Sequence, residues 1–340
     1  MAVALVCGAG GFIGGHLCKK LKKDGYYVVG VDLKYNEYWP EPHKDSLNDM
    51  TLDGYFDKFY IADLRETETV RKIIGTFAPK QIYQLAADMG GAGYIFSGDH
   101  DADVMHNSCM INLNVLDAVT HHSHFEGRNP LIFYSSSACI YPEHNQLDPN
   151  NPNCEESSAY PANPDSEYGW EKLFSERLYH SYMRNYGLNI RIARFHNVFG
   201  PEGSWNNGKE KSPAAITRKV LEAGPDGNVE IWGDGQQTRS FLYIDECLDG
   251  VQRLMESNCT DVLNIGSDEM ISINNLAHLV ADIAGYEVNL NHIDGPLGVR
   301  GRCSHNDMIE NRLGWRPTRP LREGLEKLYI WIKGQMQSND

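Results

Sequence analysis

Apolar positions along the first part of the chain follow two alternating rhythms. Short runs rich in Val, Ile, Leu and Tyr occupy 2–7, 27–31, 81–85, 131–135 and 189–193, the length and composition of strands buried on both faces of a sheet. Between them, 16–23, 66–76, 104–121 and 168–185 carry apolar residues at helical spacing. Strands alternating with helices predict βαβ units stacked into a parallel sheet. Past Gly200 the alternation breaks into a loop rich in Gly, Trp and Asn, a helix near 214–223 and a strand-like 230–232. That break predicts a smaller lobe set around the end of the sheet. No internal repeat or low-complexity stretch points to another architecture.

A chain of 340 residues can bury a substantial core, whether as two ordinary domains or as one large α/β domain with a lobe attached. Its formal net charge of −15 disfavours a nucleic-acid partner, which rewards a concentrated excess of Lys and Arg. An anionic small molecule stays compatible, since a few arginines focused in one cleft outweigh net charge locally. No apolar run approaches the roughly 20 residues needed to cross a bilayer, so no membrane partner is expected. The N-terminus runs from Met1 almost directly into Val3-Ala4-Leu5-Val6, without the basic, apolar and small-residue segments of a secretory signal. Eight cysteines form no Cys-x-x-Cys pair and are scattered through expected helices and strands. Reduced thiols in a soluble, cytoplasmic protein are the expectation.

Gly8-Ala9-Gly10-Gly11-Phe12-Ile13-Gly14 follows the first strand and opens the first helix. In that context glycines let backbone N–H groups approach a pyrophosphate, although a purely structural turn has the same composition. Asp32 argues for the first reading: it ends the next strand roughly 20 residues on, where a carboxylate accepts hydrogen bonds from ribose hydroxyls. A carboxylate there favours NAD, because the 2′-phosphate of NADP would face a negative charge; Lys34 nearby weighs the other way. Asp63, after the following strand, meets either the adenine edge or the start of a helix as an N-cap before Glu66. The spacing of Gly8, Gly11 and Gly14 resembles the extended short-chain dehydrogenase/reductase family, in which Leu85-Ala86-Ala87 matches the segment beside the cofactor. The expected fold class is therefore α/β, a Rossmann-type doubly wound parallel sheet with a smaller C-terminal substrate-binding lobe. Residues 1–195 are expected to form the NAD-binding domain and 196–340 mainly the substrate lobe, with some segments returning to the sheet.

Tyr168-Gly169-Trp170-Glu171-Lys172 sets a phenol and an ammonium four residues apart, one helical turn, so that both face one cleft. A nearby cation lowers the pKa of a phenol, which can then take a hydroxyl proton as hydride leaves the same carbon. A solvated helix face is the default reading of such a pair. Here, however, it follows the Gly-rich turn at a fitting distance and comes after Ser135-Ser136-Ser137 at a strand end. Ser137 is the expected hydroxyl that orients a substrate oxygen beside Tyr168, while Ser135 and Ser136 can be strand-end residues without a chemical role. Two positions further stands Cys139, where relatives that dehydrate a sugar carry an Asp-Glu pair. A thiol there can pass protons in both directions at a carbon next to a carbonyl, or simply pack the strand end as a small buried side chain.

Three blocks carry a closer resemblance: Asp88-Met89-Gly90-Gly91, Ser136-Ser137-Ala138-Cys139-Ile140-Tyr141-Pro142, and Lys209-Glu210-Lys211-Ser212-Pro213. Together with Arg194-Phe195-His196-Asn197, Gln236-Gln237-Thr238-Arg239 and Gly298-Val299-Arg300-Gly301-Arg302, they resemble the GDP-mannose 3,5-epimerases along nearly the whole chain. The resemblance implies an NAD-dependent isomerase in which Tyr168, with Lys172, takes the proton from the carbon-4 hydroxyl while NAD accepts hydride. The resulting ketone acidifies carbons 3 and 5 of GDP-mannose. Cys139 and Lys211 are then implied as the pair that removes and returns protons there, giving GDP-L-galactose, or also GDP-L-gulose. Two residues are needed, because inversion requires a donor on the face opposite the base.

Implied substrate contacts are Gly91, Ser137, Asn197, Lys211, Gln237, Arg239, Arg300 and Arg302. The last two form a bidentate clamp on the diphosphate or ordinary surface pairs. In a polar loop Lys211 is otherwise simply exposed. Asn197 and Asn207 reach phosphate or base, or serve as loop residues. Glu210 and Asp234 read as structural, and His196 packs beneath the site with no second ligand at the spacing a metal needs. Relatives imply a homodimer paired through the helices at 104–121 and 168–185. The segments 33–42 and 145–158 depart from the family pattern and leave room for a carbon-4 epimerase of a UDP-sugar, or for inversion of a single carbon on another nucleotide-sugar. Outside enzymes, the alternative is a non-catalytic NAD-binding scaffold, against which stand both Tyr168 and Lys172.

Overall fold

A computed structural model describes residues 1–46 and 49–338. In chain order the first strands are β1 (Val3–Cys7), β2 (Tyr27–Asp32), β3 (His43–Ser46), β4 (Asp49–Leu52), β5 (Phe56–Ile61), β6 (Gln81–Gln84), β7 (Leu131–Ser137) and β8 (Asn189–Phe195). Shorter ones follow: β9 (Val198–Phe199), β10 (Asn228–Trp232), β11 (Thr238–Ser240), β12 (Leu242–Tyr243), β13 (Leu263–Ile265), β14 (Met270–Ser272), β15 (Asn289–Ile293) and β16 (Gly301–Arg302). The helices are α1 (Phe12–Lys23), α2 (Thr67–Phe77), α3 (Ala92–Ile95), α4 (Asp101–Glu126), α5 (Glu167–Tyr186), α6 (Ser212–Ala223), α7 (Ile244–Glu256), α8 (Ile273–Ala284), α9 (Asp307–Leu313) and α10 (Leu321–Ser338).

One sheet dominates, in the order β13-β8-β7-β6-β1-β2-β5-β4-β3. It is parallel from β13 to β5, with β4 and β3 added antiparallel at one edge. Along β1, Ala4 and Val6 enter the core on one face while Leu5 and Cys7 enter the core on the other, which is why this strand reads as an unbroken apolar run. The Leu5 face is covered by α2, α4 and α5 through Val70, Val115 and Tyr179; the Val6 face by α1 and α7 through Leu17 and Val251, and the same core continues into the second lobe through Val220 of α6, Leu276 of α8 and Leu325 of α10.

After β1 the chain builds β2 and β5 on one side, then crosses to build β6, β7 and β8 on the other. The boundary between β1 and β6 is thus the switch point of the sheet, and ligands of such sheets bind outside the carboxyl ends of the strands there. Those ends carry Gly8, Asp32, Leu85 and Ser137. Two local features hold α5 beside them. Ser166 caps its start by accepting the Gly169 N–H at 3.3 Å, and Gly187 ends it in the left-handed region at φ 66°. From β8, Arg194 binds Glu176 of α5 through Nε and Nη2 at 2.9 and 2.8 Å, and Ser136 Oγ donates to the same carboxylate at 2.5 Å. Both charged side chains are at most 5% exposed, so removing either leaves a buried charge at a cost of about 3–5 kcal/mol.

The strand and helix positions expected for the first part match β1, β2, β6, β7, β8, α1, α2, α4 and α5 within a few residues. No strand is expected at 43–52, where polar residues such as His43 and Lys44 hide an edge hairpin from any apolar criterion. The proline-rich segment 33–42 is expected to border the adenosine end. In the structure it straps the two halves together: Trp39 is buried against Gly15 of α1, and Tyr38 meets Trp331 of α10 edge-on at 5.0 Å.

Candidate active site

The glycine turn is shaped by close backbone approach. Gly8 stands at φ 85°, and a Cβ on it would come within 2.8 Å of the Ala86 nitrogen; one on Gly14 would meet the Gly8 carbonyl oxygen at 2.1 Å. Only glycine fits either place, and the turn is braced from within: the Gly8 and Ala9 N–H groups donate to the Val31 carbonyl and the Gly11 N–H to that of Gly8, so the cradle's open donors are the first N–H groups of α1, those of Phe12 and Ile13, which have no intrahelical acceptor. Asp32 closes the cradle by accepting the Gly10 N–H at 3.0 Å and the Lys34 N–H at 3.3 Å. Burial raises its pKa, and those N–H groups work against the rise. This donor set fits a dinucleotide: helix-start amides suit a pyrophosphate and a carboxylate at the end of β2 suits ribose hydroxyls, with Leu85-Ala86 across the turn from Gly8. Asp63 does not cap a helix, since α2 starts behind Glu66. Instead it holds Arg65 at 2.6 Å, whose hydrogen bond keeps the carboxyl below its ordinary pKa. Arg65 then reaches Asn107 Oδ1 at 2.8 Å, and Asn107 Nδ2 donates to Asp88 at 2.8 Å.

Four groups converge at the end of β7 and the start of α5. Tyr168 is 7% exposed, and Ser137 acts on its phenol in favour of the ionised form. Ser137 Oγ also accepts the Cys139 N–H at 3.2 Å, which folds the turn that presents the thiol. Lys172 donates to the Ser135 carbonyl at 3.0 Å with its ammonium 5.7 Å from the Tyr168 ring centre. From sequence, Lys172 is expected to lower the pKa of the phenol. In the structure burial dominates and raises it, Cys139 and Glu171 add to the rise, and the opposing contributions come from Ser137 and Arg302.

The second lobe supplies the opposite wall. Lys211 precedes the first turn of α6, at the positive end of the helix dipole. The cleft leaves the side chain open to solvent, yet protein atoms crowd its ammonium, and that burial lowers its pKa while Cys139 opposes and Arg302 adds. Gly91 lets the Asp88 loop press onto the loop that carries Lys211: a Cβ there would lie 2.5 Å from the Glu210 carbonyl oxygen. Arg302 is 6% exposed and turned onto the thiol, donating to Cys139 Sγ at 3.1 Å, Asp165 Oδ2 at 2.9 Å and Gln146 Oε1 at 2.6 Å. Burial works against its charge, and Cys139 and Asp165 overcome it, holding its pKa above the usual value. Arg239 donates to the carbonyls of Thr238, Leu297 and Val299, and burial, with Arg302 adding, lowers its pKa to about 10. Among the described residues, neither Lys211 nor Arg239 has a carboxylate at ion-pair distance.

A model of the NAD dependent epimerase/dehydratase family matches residues 4–266. The GDP-mannose 3,5-epimerase of Arabidopsis thaliana is 44% identical over 332 residues, which span 98% of this chain and 82% of that protein. The chain belongs to the GDP-mannose 3,5-epimerase family. NAD dependence and isomerase chemistry come with that membership. Among solved structures, the UDP-glucose 4-epimerase of Thermotoga maritima with UDP-glucose superposes with a TM-score of 0.81 at 25% identity, covering 98% of this chain and 99% of that one. The UDP-glucuronic acid 4-epimerase of Bacillus cereus, in complex with UDP-glucuronic acid and NAD, gives 0.76 at 27% identity with the same coverage.

Within this family member the remaining expected contacts divide. Gln237 lies in the wall with its amide donating to the Trp232 carbonyl at 3.1 Å and its buried Oε1 without a hydrogen-bond partner among the described residues. Asn197 spends its amide on the Ser240 carbonyl at 3.0 Å and takes up φ 40°, joining β9 to β11. Arg300 is held away from the thiol cluster by two hydrogen bonds to Asp234, at 3.0 and 2.9 Å. His196 is fully buried, bound to Asn264 at 2.9 Å, and burial lowers its pKa to about 3, which keeps it neutral. Asn207 contacts Ser204 on the surface. Sequence reasoning misses Asp165, Gln146 and Glu171. Asp165 could have been suspected one residue before the Ser166 cap, but its partner lies 137 positions away.

Proposed function

We propose that this protein inverts carbons 3 and 5 of GDP-mannose through a transient ketone at carbon 4, yielding GDP-L-galactose, with GDP-L-gulose when one inversion alone is completed. The supporting observation is the convergence of Tyr168, Cys139 and Lys211 on one cleft, where the Cys139 thiol acts electrostatically on both the phenol and the amine. NAD, when bound in the glycine cradle, supplies a reversible hydride acceptor beside carbon 4. Tyr168 takes the carbon-4 hydroxyl proton, and Ser137 orients that oxygen. The ketone makes the neighbouring C–H bonds acidic enough for a thiol and an amine. Cys139 from the β7 side and Lys211 from the α6 side then remove and return protons on the two faces of the ring. Arg302 holds the Cys139 sulfur in place through its Nη1 donor.

The cationic side chains of the cleft agree with the substrate class. Arg302 has Asp165 and Arg194 has Glu176, whereas Arg239 and Lys211 have no carboxylate at ion-pair distance among the described residues. A diphosphate would complete them. Gln237, Gly91 and the 196–338 lobe then frame the nucleotide-sugar, while 1–195 holds NAD. A panel of nucleotide-sugars incubated with the NAD-loaded protein and read by NMR should convert GDP-mannose and leave UDP-glucose unchanged. Conversion of UDP-glucose to its carbon-4 epimer instead would contradict the assignment, because such an enzyme has no task for Cys139 or Lys211.

The protein is further proposed to work as a cytoplasmic homodimer. Leu113 of α4 with Trp170 and Phe174 of α5 are 37, 41 and 47% exposed on two helices that pack side by side, an apolar face that a second copy would cover. Eight free cysteines suit a reducing compartment. Sedimentation should give a dimer that Phe174→Glu converts to a monomer; a monomeric parent protein would remove the proposal.

A further inference from the structure

Lys172 keeps its charge inside the protein with uneven support. Its side chain is 2% exposed, its one hydrogen bond among the described residues goes to the Ser135 carbonyl, and the Tyr134 and Tyr168 rings lie 5.1 and 5.7 Å from the ammonium. None of these is an anion, and burying an ammonium without one is costly. Two carboxylates of α5 act on it electrostatically, Glu171 and Glu176. Glu176 is already neutralised by Arg194. Glu171 is not: it is fully buried and no cation pairs with it at short range among the described residues.

The surroundings of Glu171 hold it in one place. Oε1 accepts from Asn112 Nδ2 at 3.2 Å and from Ser175 Oγ at 2.7 Å, while Oε2 has no hydrogen-bond partner among the described residues. Asn112 Oδ1 in turn accepts from Gln84 Nε2 at 2.9 Å and from the Tyr179 hydroxyl at 3.1 Å. Gln84 Nε2 also donates to the Ala86 carbonyl at 2.9 Å, and Ser135 Oγ donates to the Gln84 carbonyl at 3.3 Å. The buried network thus runs from the carboxyl on α5 through α4 to the β6 end beside the glycine turn, and back to the strand that holds Lys172.

We propose that Glu171 is a positioning residue: its carboxylate is the counter-charge that keeps Lys172 protonated, and so sets the pH range in which Tyr168 can exchange its proton. This rests on the acid/base role given to Tyr168 and Lys172 above. The other titratable groups facing the pair do not supply the charge. Burial raises the pKa of Cys109 on α4 to about 11, and it raises those of Tyr134 on β7 and Tyr179 on α5 further, so all three stay neutral. Cys139 is engaged by Arg302. Burial raises the pKa of Glu171 as well, and Lys172, Ser175 and Asn112 oppose it, so carboxylate and ammonium sustain each other.

The sign follows for both groups. Losing the anion makes Lys172 easier to deprotonate, which moves the alkaline limb of the activity profile to lower pH. It also removes a negative charge that opposes the phenolate, which moves the acid limb to lower pH. A packing defect would lower the profile without moving its limbs. The test uses the NAD-loaded protein and compares the parent, Glu171→Gln and Glu171→Asp by the pH dependence of kcat/KM. Tyrosinate absorbance, taken as the difference from the same protein carrying Tyr168→Phe, gives a second readout that needs no turnover. Glu171→Gln should move both limbs and the tyrosinate midpoint down by about one pH unit or more, and Glu171→Asp by less in the same direction. Unmoved limbs and midpoint in whichever variant folds would overturn the proposal. A shifted midpoint in a protein that turns over no GDP-mannose would support the role of Glu171 and count against the substrate assignment alone.

Discussion

Tyr168→Phe lowers kcat on GDP-mannose by about 10²–10⁴-fold, the usual worth of a positioned acid/base group. Substrate and NAD binding change little, since the ring stays packed in the same buried place. The loss is expected at every step that follows, because no ketone forms and no C–H bond becomes acidic. Solvent exchange at carbons 3 and 5 therefore disappears together with product. A scaffold protein would show the reverse pattern, a variant with its biological activity intact. Isothermal titration with NAD, beside single-turnover kinetics, separates lost chemistry from a lost fold.

Cys139→Ser and Lys211→Met have effects of similar size on overall turnover but divide the exchange between them. Each variant can still form the ketone, because Tyr168, Ser137 and Lys172 are untouched. The serine hydroxyl is too weak an acid to replace the thiol as a two-way proton carrier, and methionine keeps the length of Lys211 without its amine. Each variant is expected to lose deuterium uptake at one carbon far more than at the other. Equal losses at both carbons in the Cys139 variant would mean that the thiol only shapes the pocket and Arg302 only packs against it. The hydrogen bond from Arg302 Nη1 to Sγ at 3.1 Å makes a further demand: Arg302→Lys, which cannot reproduce three directed donors, should mimic part of the Cys139 loss.

Much of this site is visible in the sequence because its parts are local. The glycine turn sits between one strand and one helix, and Tyr168 and Lys172 lie one turn apart on α5. Ser137 and Cys139 flank a strand end within three residues. What escapes is pairing across long separations. Arg302 looks from sequence like a diphosphate ligand, yet its direction depends on Asp165 and Gln146, which reach it only once β16 is placed beside β11. Arg300, two residues away, points to Asp234 instead, and no local pattern distinguishes the two arginines. Glu171 lies inside the very motif that identifies the site, but its burial and the hydrogen bonds that tie its carboxylate to Asn112 and Ser175 are facts of tertiary packing. The same holds for the fold: β13 is only three residues long, and β3 and β4 are too polar to announce themselves, although each extends the sheet.

The ketone at carbon 4 is the claim on which the chemistry stands, and turnover of GDP-mannose in deuterium oxide reads it directly. Recovered GDP-mannose and GDP-L-galactose should carry deuterium at carbons 3 and 5 and protium at carbon 4, because the hydrogen at that carbon leaves and returns without meeting solvent. Protium at both neighbouring carbons of recovered and converted sugar would contradict the account.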